Sequence, residues 1–280
     1  MSNMIKTYVP VLTIAGSDSG GGAGIQADLK TFSALGCFGT SVITATTAQN
    51  TLGVKSIHDI PVQHIKEQLE AVLSDIRPKA IKIGMINRPE VVEVIVEALG
   101  QYPDIPVVFD PVMVATSGDR LIKEETVEVL KKELFPISHI ITPNMDEAAV
   151  LIGKAVDSLP EMEKAASQLL TYGSAFVLVK GGHLNGDSVA DVLCGHDGQM
   201  QVFKSEKITT GNVHGTGCTL SSAIAVFLAK GMEVEKAVEL ARNFVFQAID
   251  AGKTVKTGQG SGPLNHFHQP KKMIIHELDQ

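Results

Sequence analysis

A glycine-rich segment around residue 215 carries groups that could bind an anion. Residues 210–219 read TGNVHGTGCT and lead into an apolar stretch that predicts a helix. Gly215, Thr216 and Gly217 would open that helix, so their backbone N–H groups could converge on an anion such as the γ-phosphate of a nucleotide. Cys218 falls in the first turn, where the pKa of a thiol tends to fall. A small buried side chain at the start of a glycine-rich helix is the alternative interpretation.

Carboxylates and an amide follow two predicted strands. Asp110 ends the apolar run 107–110, and Asn144 and Glu147 lie in residues 142–148, which read TPNMDEA. Oxygen ligands of this kind suit Mg²⁺ bound together with phosphates. Helix capping is an equally good interpretation, because Asn144 and Glu147 have the spacing of a capping box.

Two further segments favour a phosphorylated or small ligand. Lys180 ends the run 176–180 and precedes two glycines, so it could neutralise phosphate charge, although a surface lysine beside a turn is the alternative. Residues 14–24 read IAGSDSGGGAG and hold five glycines within nine residues. This density favours a backbone that approaches a ligand closely over a simple turn.

Two nucleotide-binding motifs are incomplete in this chain. Residues 22–27, GAGIQA, match the G-x-G-x-x-A pattern, but no acidic residue ends the next predicted strand about 20 residues later. Residues 252–254, GKT, lack the upstream glycine of a P-loop, because Gln247 stands at that position. The sequence therefore favours neither a nicotinamide site nor a P-loop NTPase.

Short apolar runs alternate with helical periods along the whole chain. Strands are predicted at residues 9–14, 39–47, 54–60, 80–84, 107–110, 139–142, 176–180, 189–194 and 200–203. Helices are predicted at residues 25–35, 61–73, 89–99, 124–134, 146–152, 159–172, 219–229 and 234–251, before a mostly irregular tail at 254–280. This alternation predicts an α/β fold with a mostly parallel central sheet and helices on both faces. Ligands of such sheets bind outside the carboxyl ends of the strands, where Asp110, Asn144 and Lys180 fall.

Composition bounds the class of protein. The chain has 280 residues with 24 Lys and Arg against 31 Asp and Glu, a net charge of −7, and it contains no Trp. The acidic balance and the 5% aromatic content argue against a nucleic-acid partner. Three cysteines without a CxxC pair, and no visible secretory signal or apolar span of bilayer length, predict a cytoplasmic protein without a membrane partner. No linker or repeat divides the chain, which predicts a single domain over residues 1–280.

In this order, the glycine-rich and strand-end segments resemble the ribokinase-like superfamily of small-molecule kinases. Within it, the chain is similar over roughly residues 11–263 to the hydroxymethylpyrimidine and phosphomethylpyrimidine kinases of thiamine synthesis. The resemblance rests on AGSD at 15–18, GIQADLKTF at 24–32, TAQNT at 47–51, KIGM at 82–85, DPVMV at 110–114, KGGH at 180–183 and HGTGCT at 214–219.

The resemblance implies an ATP-dependent kinase with two successive reactions. It would phosphorylate 4-amino-5-hydroxymethyl-2-methylpyrimidine and then convert the monophosphate to the diphosphate. The pyrimidine pocket would be lined by Gly16, Ala23, Thr47, Gln49 and Met85, with Gln49 reading the ring edge. Nucleotide phosphates would be held by Lys180, Thr210 and Gly215, an anion hole formed by Gly215, Thr216 and Gly217, and Mg²⁺ surrounded by Asp110, Asn144 and Glu147. Cys218 would stand at the position of the catalytic base.

Alternatives remain open at this stage. Related kinases phosphorylate pyridoxal, pyridoxine or pyridoxamine, and Thr47 does not decide between the two substrate classes, although the run 49–51 favours the pyrimidine. A non-catalytic vitamin-binding protein on the same fold and a sugar kinase are weaker alternatives. The resemblance also implies a homodimer, and residues 54–60 could form an edge strand that pairs with a second copy.

Overall fold

The computed structural model describes residues 5–113, 122–182, 184 and 186–278. Its strands are β1 (Ile5–Tyr8), β2 (Pro10–Asp18), β3 (Phe38–Asn50), β4 (Gly53–Asp59), β5 (Ala80–Ile83), β6 (Val107–Phe109), β7 (Ile140–Ile141), β8 (Phe176–Val179), β9 (Ser188–Gly195), β10 (Met200–Glu206) and β11 (Ile275–Leu278). Its helices are α1 (Gly24–Ala34), α2 (Val62–Asp75), α3 (Pro89–Leu99), α4 (Glu124–Val129), α5 (Met145–Ile152), α6 (Leu159–Leu170), α7 (Thr216–Ala229) and α8 (Val234–Gly252).

Nine of these strands form one sheet in the order β10-β9-β8-β7-β6-β5-β2-β3-β4. The six strands from β8 to β3 are parallel to their neighbours, and the pairs β3–β4, β8–β9 and β9–β10 are antiparallel. The prediction of a mostly parallel α/β sheet is therefore confirmed. The short parallel strands are fully buried and apolar, as expected for strands that are covered on both faces.

Helices cover both faces of the sheet through two apolar cores. One core contains the buried faces of α2 to α6, and the other contains those of α1, α7 and α8. Helix α7 is buried along most of its length, so it packs directly under the sheet and its first residues are held in a fixed place. Among the described residues, no helix is long and apolar enough to cross a membrane.

The structure differs from the predicted elements at several ends. β2 continues further than predicted, to Asp18, because it pairs with β3 past a bulge at Gly16. β3 continues to Asn50 because its last residues pair with β4. The helix predicted at 124–134 is regular only to Val129 and ends in a π-helical turn, Leu130–Leu134. The tail is not wholly irregular, since β11 pairs with β1 in a separate two-stranded sheet. Each of these two strands has four residues, too few for a periodic signal in the sequence.

Candidate active site

A cleft of about 1310 Å³ runs along the carboxyl edge of the sheet, where parallel α/β sheets bind ligands. The structure places every site residue predicted from the sequence on the lining of this one cleft. These residues are Gly16, Ala23, Thr47, Gln49, Met85, Asp110, Asn144, Glu147, Lys180, Thr210, Gly215, Thr216, Gly217 and Cys218. The segments quoted for the resemblance also include Val114 and His183, which lie outside the described residues.

The strand order divides the cleft into three parts. Thr47, Gln49 and Met85 lie at the β3-β2-β5 end, together with the apolar side chains of β4. Asp110, Asn144 and Lys180 follow β6, β7 and β8 and form the centre. The far end lies against β9, β10 and α8, which present Val189, Val245, Phe246 and Ile249 together with Arg242.

The glycine loop after β2 is organised around Asp18. Its carboxylate accepts hydrogen bonds from the N–H groups of Gly20, Gly22 and Ala23 at 2.7, 3.0 and 2.9 Å. His214 Nε2 lies 3.0 Å from Asp18 Oδ2 and ties this loop to the segment before α7. Although burial alone would raise the pKa of Asp18, the hydrogen bonds from His214 and the loop N–H groups lower it. Asp18 is thus a structural anion of the loop, which sequence analysis did not single out.

The start of α7 presents free N–H groups to the cleft. Gly215 caps the helix with φ +85°, and a side chain there would overlap the carbonyl oxygen of Gly22, so only glycine fits. The N–H and hydroxyl of Thr216 are both bonded to Val213 O, at 3.2 and 2.6 Å. Helix geometry leaves the N–H groups of Gly217 and Cys218 without intrahelical acceptors. In this structure the N–H groups left open for an anion are therefore those of Gly217 and Cys218, because that of Thr216 is bonded to Val213 O.

A lysine and two carboxylates occupy the centre of the cleft. Lys180 Nζ lies 2.6 Å from Asp110 Oδ1 and 4.0 Å from Glu147 Oε2. Thr142 Oγ1 donates to Asp110 Oδ1 at 3.1 Å. Burial opposes the charge of Asp110, but Lys180 and Lys82 hold its pKa below the usual range. Burial raises the pKa of Glu147 to about 7, and Asp110 adds to this while Lys180 opposes it.

Asn144 and Glu147 form the capping box of α5. Asn144 Oδ1 accepts from Glu147 N–H at 2.8 Å, and Glu147 Oε2 accepts from Asn144 N–H at 2.7 Å. The capping interpretation is confirmed, and it does not exclude a role in the cleft, because both residues also line it. The cap fixes the Glu147 carboxylate 4.0 Å from Lys180.

The expectation of a lowered pKa for Cys218 is wrong for this state of the protein. The thiol is half-buried, and desolvation raises its pKa to about 11. Lys82 opposes this shift, and the Gly24 N–H hydrogen bond does so too, whereas Asp28 and Asp110 add to it. Burial thus outweighs the helix N-terminus, and the thiol is protonated at neutral pH.

A buried ion pair at the floor of the cleft, where Lys82 is one of the lining residues, also escaped the sequence analysis. Lys82 Nζ lies 3.0 and 2.9 Å from the two carboxylate oxygens of Asp28, and both side chains are fully buried. Thr13 Oγ1 and Ser222 Oγ donate to the same carboxylate at 2.6 and 2.7 Å. The available signal was a charged residue inside the apolar strand Ala80–Ile83, where a lysine needs a buried partner.

Two predicted ligand contacts are occupied by protein groups. Thr210 Oγ1 donates to the carbonyl of Lys253 at 2.9 Å, so its hydroxyl is committed away from a phosphate in this structure. The amide of Gln49 lies between Thr47 Oγ1, 3.2 Å from Oε1, and His214 Nε2, 3.4 Å from its nitrogen. Met85 Cε would lie 3.0 Å from a side chain at Gly16, which explains the small residue there.

Comparison with known proteins identifies the family to which the chain belongs. The profile of a family described as "Phosphomethylpyrimidine kinase" matches residues 18–265. The chain belongs to this family. The hydroxymethylpyrimidine/phosphomethylpyrimidine kinase of Rhizobium meliloti (strain 1021) is 49% identical over 260 residues, which cover 92% of this chain and 97% of the relative.

Solved structures place the phosphomethylpyrimidine kinase family beside the pyridoxal kinases. Phosphomethylpyrimidine kinase from Clostridium difficile 630 has a TM-score of 0.77 and 48% identity, covering 86% of this chain and 99% of that one. Bacillus subtilis pyridoxal kinase, in an ADP complex, has a TM-score of 0.86 and 34% identity, covering 93% and 98%. Both confirm the ribokinase-like fold. As a family member, the chain is a phosphotransferase, a kinase of thiamine biosynthesis that uses ATP.

Proposed function

We propose that this chain transfers the γ-phosphoryl group of ATP to 4-amino-5-hydroxymethyl-2-methylpyrimidine, and a second one to the resulting monophosphate. The observation that carries the proposal is the arrangement of the cleft. One end offers the Gln49 amide to a heterocycle, the centre holds Lys180 beside the start of α7, and the far end offers apolar side chains and Arg242. Family membership supplies the reaction class, and this arrangement supports it.

The substrate would bind at the β3-β2-β5 end. Gly16, Ala23, Thr47, Gln49 and Met85 would line its pocket, and the amide of Gln49 would meet the ring edge. The nucleotide base would lie against β9, β10 and α8, with its phosphates reaching Lys180, Thr210, Asn144 and Gly215. An in-line transfer then needs alignment and charge neutralisation in the centre.

The central residues supply that neutralisation. Lys180 would exchange its contact with Asp110 for the transferred phosphoryl group. Gly215, Thr216 and Gly217 would form an anion hole at the start of α7 once the Thr216 N–H group exchanges its bond to Val213 O for the anion. Gly217 fits this role because its backbone lies next to the ammonium group of Lys180. A Cβ atom added at Gly217 would be only 3.3 Å from Lys180 Nζ.

The residues of the centre also fit Mg²⁺ as part of the ATP complex. Within the described ranges, no three His, Cys, Asp or Glu side chains form a cluster that could enclose a metal. Mg²⁺ bound to phosphates requires only one or two carboxylates, which Asp110 and Glu147 offer. Burial raises the pKa of Glu147 although Lys180 opposes the shift, so a further positive charge beside the carboxylate would favour its ionised form. The ion, when bound, would offset phosphate charge.

Cys218 would accept the hydroxyl proton in the first reaction only in its ionised form, which is the minor form at neutral pH because the pKa of the thiol is about 11. The hydroxymethyl oxygen attacks the γ-phosphorus, the bond to the β–γ bridging oxygen breaks, ADP leaves, and the proton passes to the thiolate of Cys218. Since the second pKa of a phosphate ester is about 6, the attacking oxygen of the second reaction carries no proton at neutral pH. That reaction therefore needs no base.

This difference gives the test of Cys218. Cys218→Ala should slow the first phosphorylation strongly and leave the second nearly unchanged, as measured by kcat for each substrate. Because the pKa of the thiol is about 11, the wild-type rate of the first reaction should rise about tenfold per pH unit below that value. Near-full turnover of the alanine variant in the first reaction would eliminate the base role and leave only the anion hole.

Pyridoxal is the second candidate substrate, because the structural match to pyridoxal kinase has the higher TM-score. The deciding experiment measures ADP release with Mg-ATP and the hydroxymethylpyrimidine, its monophosphate, pyridoxal and ribose in parallel. Turnover of both pyrimidines supports the proposal, and any pyridoxal rate measures how relaxed the pocket is. ADP release with pyridoxal alone would indicate a kinase of vitamin B6 salvage. No ADP release with any of the four compounds would contradict a catalytic function.

We further propose that the chain acts as a single domain of residues 1–280, in the cytoplasm and as a homodimer. One sheet joined to both cores supports the single domain. The free thiols of Cys37, Cys194 and Cys218 suit a reducing compartment. β4 is an edge strand with Ile57 exposed, which supports pairing between two copies. Neither a nucleic acid nor a membrane enters the proposal.

A further inference from the structure

His214 stands between the substrate end of the cleft and the start of α7, and nothing in the phosphoryl-transfer chemistry uses it. Its Nε2 atom lies 3.0 Å from Asp18 Oδ2 and 3.4 Å from the amide nitrogen of Gln49. We propose that His214 is a positioning residue that fixes the orientation of the Gln49 amide. It thereby determines where the amide places its N–H donor and its oxygen acceptor relative to the substrate ring. This inference rests on the proposed function, since Gln49 is the residue that would read that ring.

The tautomer of His214 follows from its carboxylate partner. A ring nitrogen 3.0 Å from an ionised carboxylate oxygen carries the hydrogen, and hydrogen bonds lower the pKa of Asp18, so that carboxylate is ionised at neutral pH. His214 Nε2 is therefore a donor. It faces the nitrogen of the Gln49 amide, which is also a donor.

The donors and acceptors agree only when the Gln49 amide is turned over. With the amide nitrogen of Gln49 toward His214, two hydrogen-bond donors face each other. In addition, Thr47 has a single hydroxyl hydrogen, but two acceptors lie within reach of it: Gln49 Oε1 at 3.2 Å and the carbonyl oxygen of Ser17 at 3.0 Å. With Oε1 toward His214, the Nε2–H group, whose nearer acceptor is Asp18 Oδ2 at 3.0 Å, shares its hydrogen with Oε1 as a second and weaker acceptor. The amide nitrogen then donates to Thr47 Oγ1, and Thr47 donates to Ser17. Every group has a partner in this arrangement.

The imidazole itself is held in place. Asp18 is fixed by the N–H groups of Gly20, Gly22 and Ala23, and it holds Nε2 of the ring. A side chain at Gly22 would overlap the ring of His214, so the loop packs directly against the imidazole. The direction of the N–H bond is thus set by the glycine loop before any substrate binds.

The fixed amide retains one hydrogen on Nε2 and one lone pair on Oε1 for a ligand. A neighbouring donor and acceptor of this kind match the exocyclic amino group and adjacent ring nitrogen of a 4-aminopyrimidine. Pyridoxal has no such amino group, so a fixed amide discriminates against it because part of the amide then stays unpaired. A freely turning amide would lose this discrimination.

The experiment compares His214→Ala with His214→Asn, which restores a donor, and with Gln49→Ala and the double variant. The probes are 4-amino-5-hydroxymethyl-2-methylpyrimidine, pyridoxal and ATP, with Kd measured by calorimetry and KM and kcat by ADP release. We expect His214→Ala to weaken pyrimidine binding about tenfold, the weight of one hydrogen bond. Binding of pyridoxal should change less, the KM for ATP should stay unchanged, and His214→Asn should recover much of the loss.

The double variant separates positioning from a merely structural role. When Gln49 is already Ala, removing His214 should weaken pyrimidine binding no further, because the amide that it orients is gone. Additive losses, or an equal loss for ATP and both substrates, would overturn the inference while leaving the proposed function intact. A wild-type protein that neither binds nor phosphorylates the pyrimidine would instead overturn the proposed function and, with it, this inference.

Discussion

Lys82 on β5 and Lys180 at the end of β8 belong to the same sheet, and each meets a buried carboxylate, but their surroundings are opposite. Lys82 faces one carboxylate, Asp28, which also accepts from two hydroxyl groups. Lys180 stands between two carboxylates, and the pKa of one of them, Glu147, rises to about 7. The first cluster is balanced in charge and complete in hydrogen bonds, whereas the second has a carboxylate too many.

Charge balance distinguishes the structural cluster around Lys82 from the functional cluster around Lys180 more clearly than burial does. Burial opposes the charge of both lysines, and their carboxylates raise the pKa of both. Although Lys82 also lowers the pKa of Asp110, its own cluster is balanced in charge, so we expect its loss to act mainly on the stability of the fold. An unbalanced cluster is stabilised when positive charge arrives, which is what a phosphate-bound cation would bring. Four tests, in order of expected effect, examine this comparison.

Lys82→Met should have the largest effect on stability. Removing one partner of a buried pair leaves Asp28 uncompensated, at a cost of about 3–5 kcal/mol in the free energy of unfolding. Urea denaturation measures this loss. Lys236→Met, in the exposed pair with Glu239, is the matched control and should leave the midpoint unchanged. Adding Asp28→Leu to Lys82→Met should restore most of the stability, and no recovery would contradict a simple charge balance.

Lys180→Met should instead act mainly on catalysis. Loss of a preorganised cation at the transferring phosphoryl group should lower kcat about 10²- to 10³-fold, or about 2.7–4 kcal/mol in the barrier. Steady-state ADP release measures kcat, and Lys180→Arg serves as the variant that keeps the charge. A kcat within a few fold of wild type for Lys180→Met would remove the central cluster from the mechanism.

Glu147→Gln tests the unbalanced carboxylate through pH. Because the folded state raises the pKa of Glu147 to about 7, its contribution to stability is present below pH 4.5 and is lost as pH rises through about 7. Wild type should therefore lose up to about 3 kcal/mol over this range relative to Glu147→Gln. Denaturation at several pH values measures the gap, and Mg-ATP should narrow it. Parallel pH curves for the two proteins would argue that Glu147 is already compensated.

Thr13→Val and Thr142→Val make the smallest and best-matched change. Each removes one hydroxyl donor from the carboxylate of one cluster, at 2.6 Å from Asp28 and 3.1 Å from Asp110. Both should cost about 1.5 kcal/mol in unfolding free energy, the lower end for a bond to a charged group. Only Thr142→Val should also lower kcat. An equal kinetic loss in Thr13→Val would mean that the two clusters act as one.

The sequence was sufficient for features with local signals. The order of strands and helices follows from apolar periodicity, and Asp110, Asn144 and Lys180 follow from their position at strand ends. The pocket residues Ala23, Thr47, Gln49 and Met85, and also Thr210, came only from the family resemblance. It was insufficient where a pair joins distant segments. Asp28 and Lys82 lie in two of the segments quoted for the family resemblance, but no local pattern pairs them, and their partnership appears only when the fold brings α1 and β5 together. The pKa of Cys218 also depended on burial by surrounding segments, which a position in a first helical turn does not reveal.

The contact between the glycine loop and the segment before α7 has a consequence for how the chain folds. Asp18 meets His214 across 196 residues, and Asp28 meets Ser222 across 194. Contacts of such separation carry a large loop-closure cost and form late. During synthesis, Asp18 and Asp28 can therefore contact His214 and Ser222 only after most of the chain has been made. The active site should be among the last parts of the molecule to acquire native order, after the sheet that supports it.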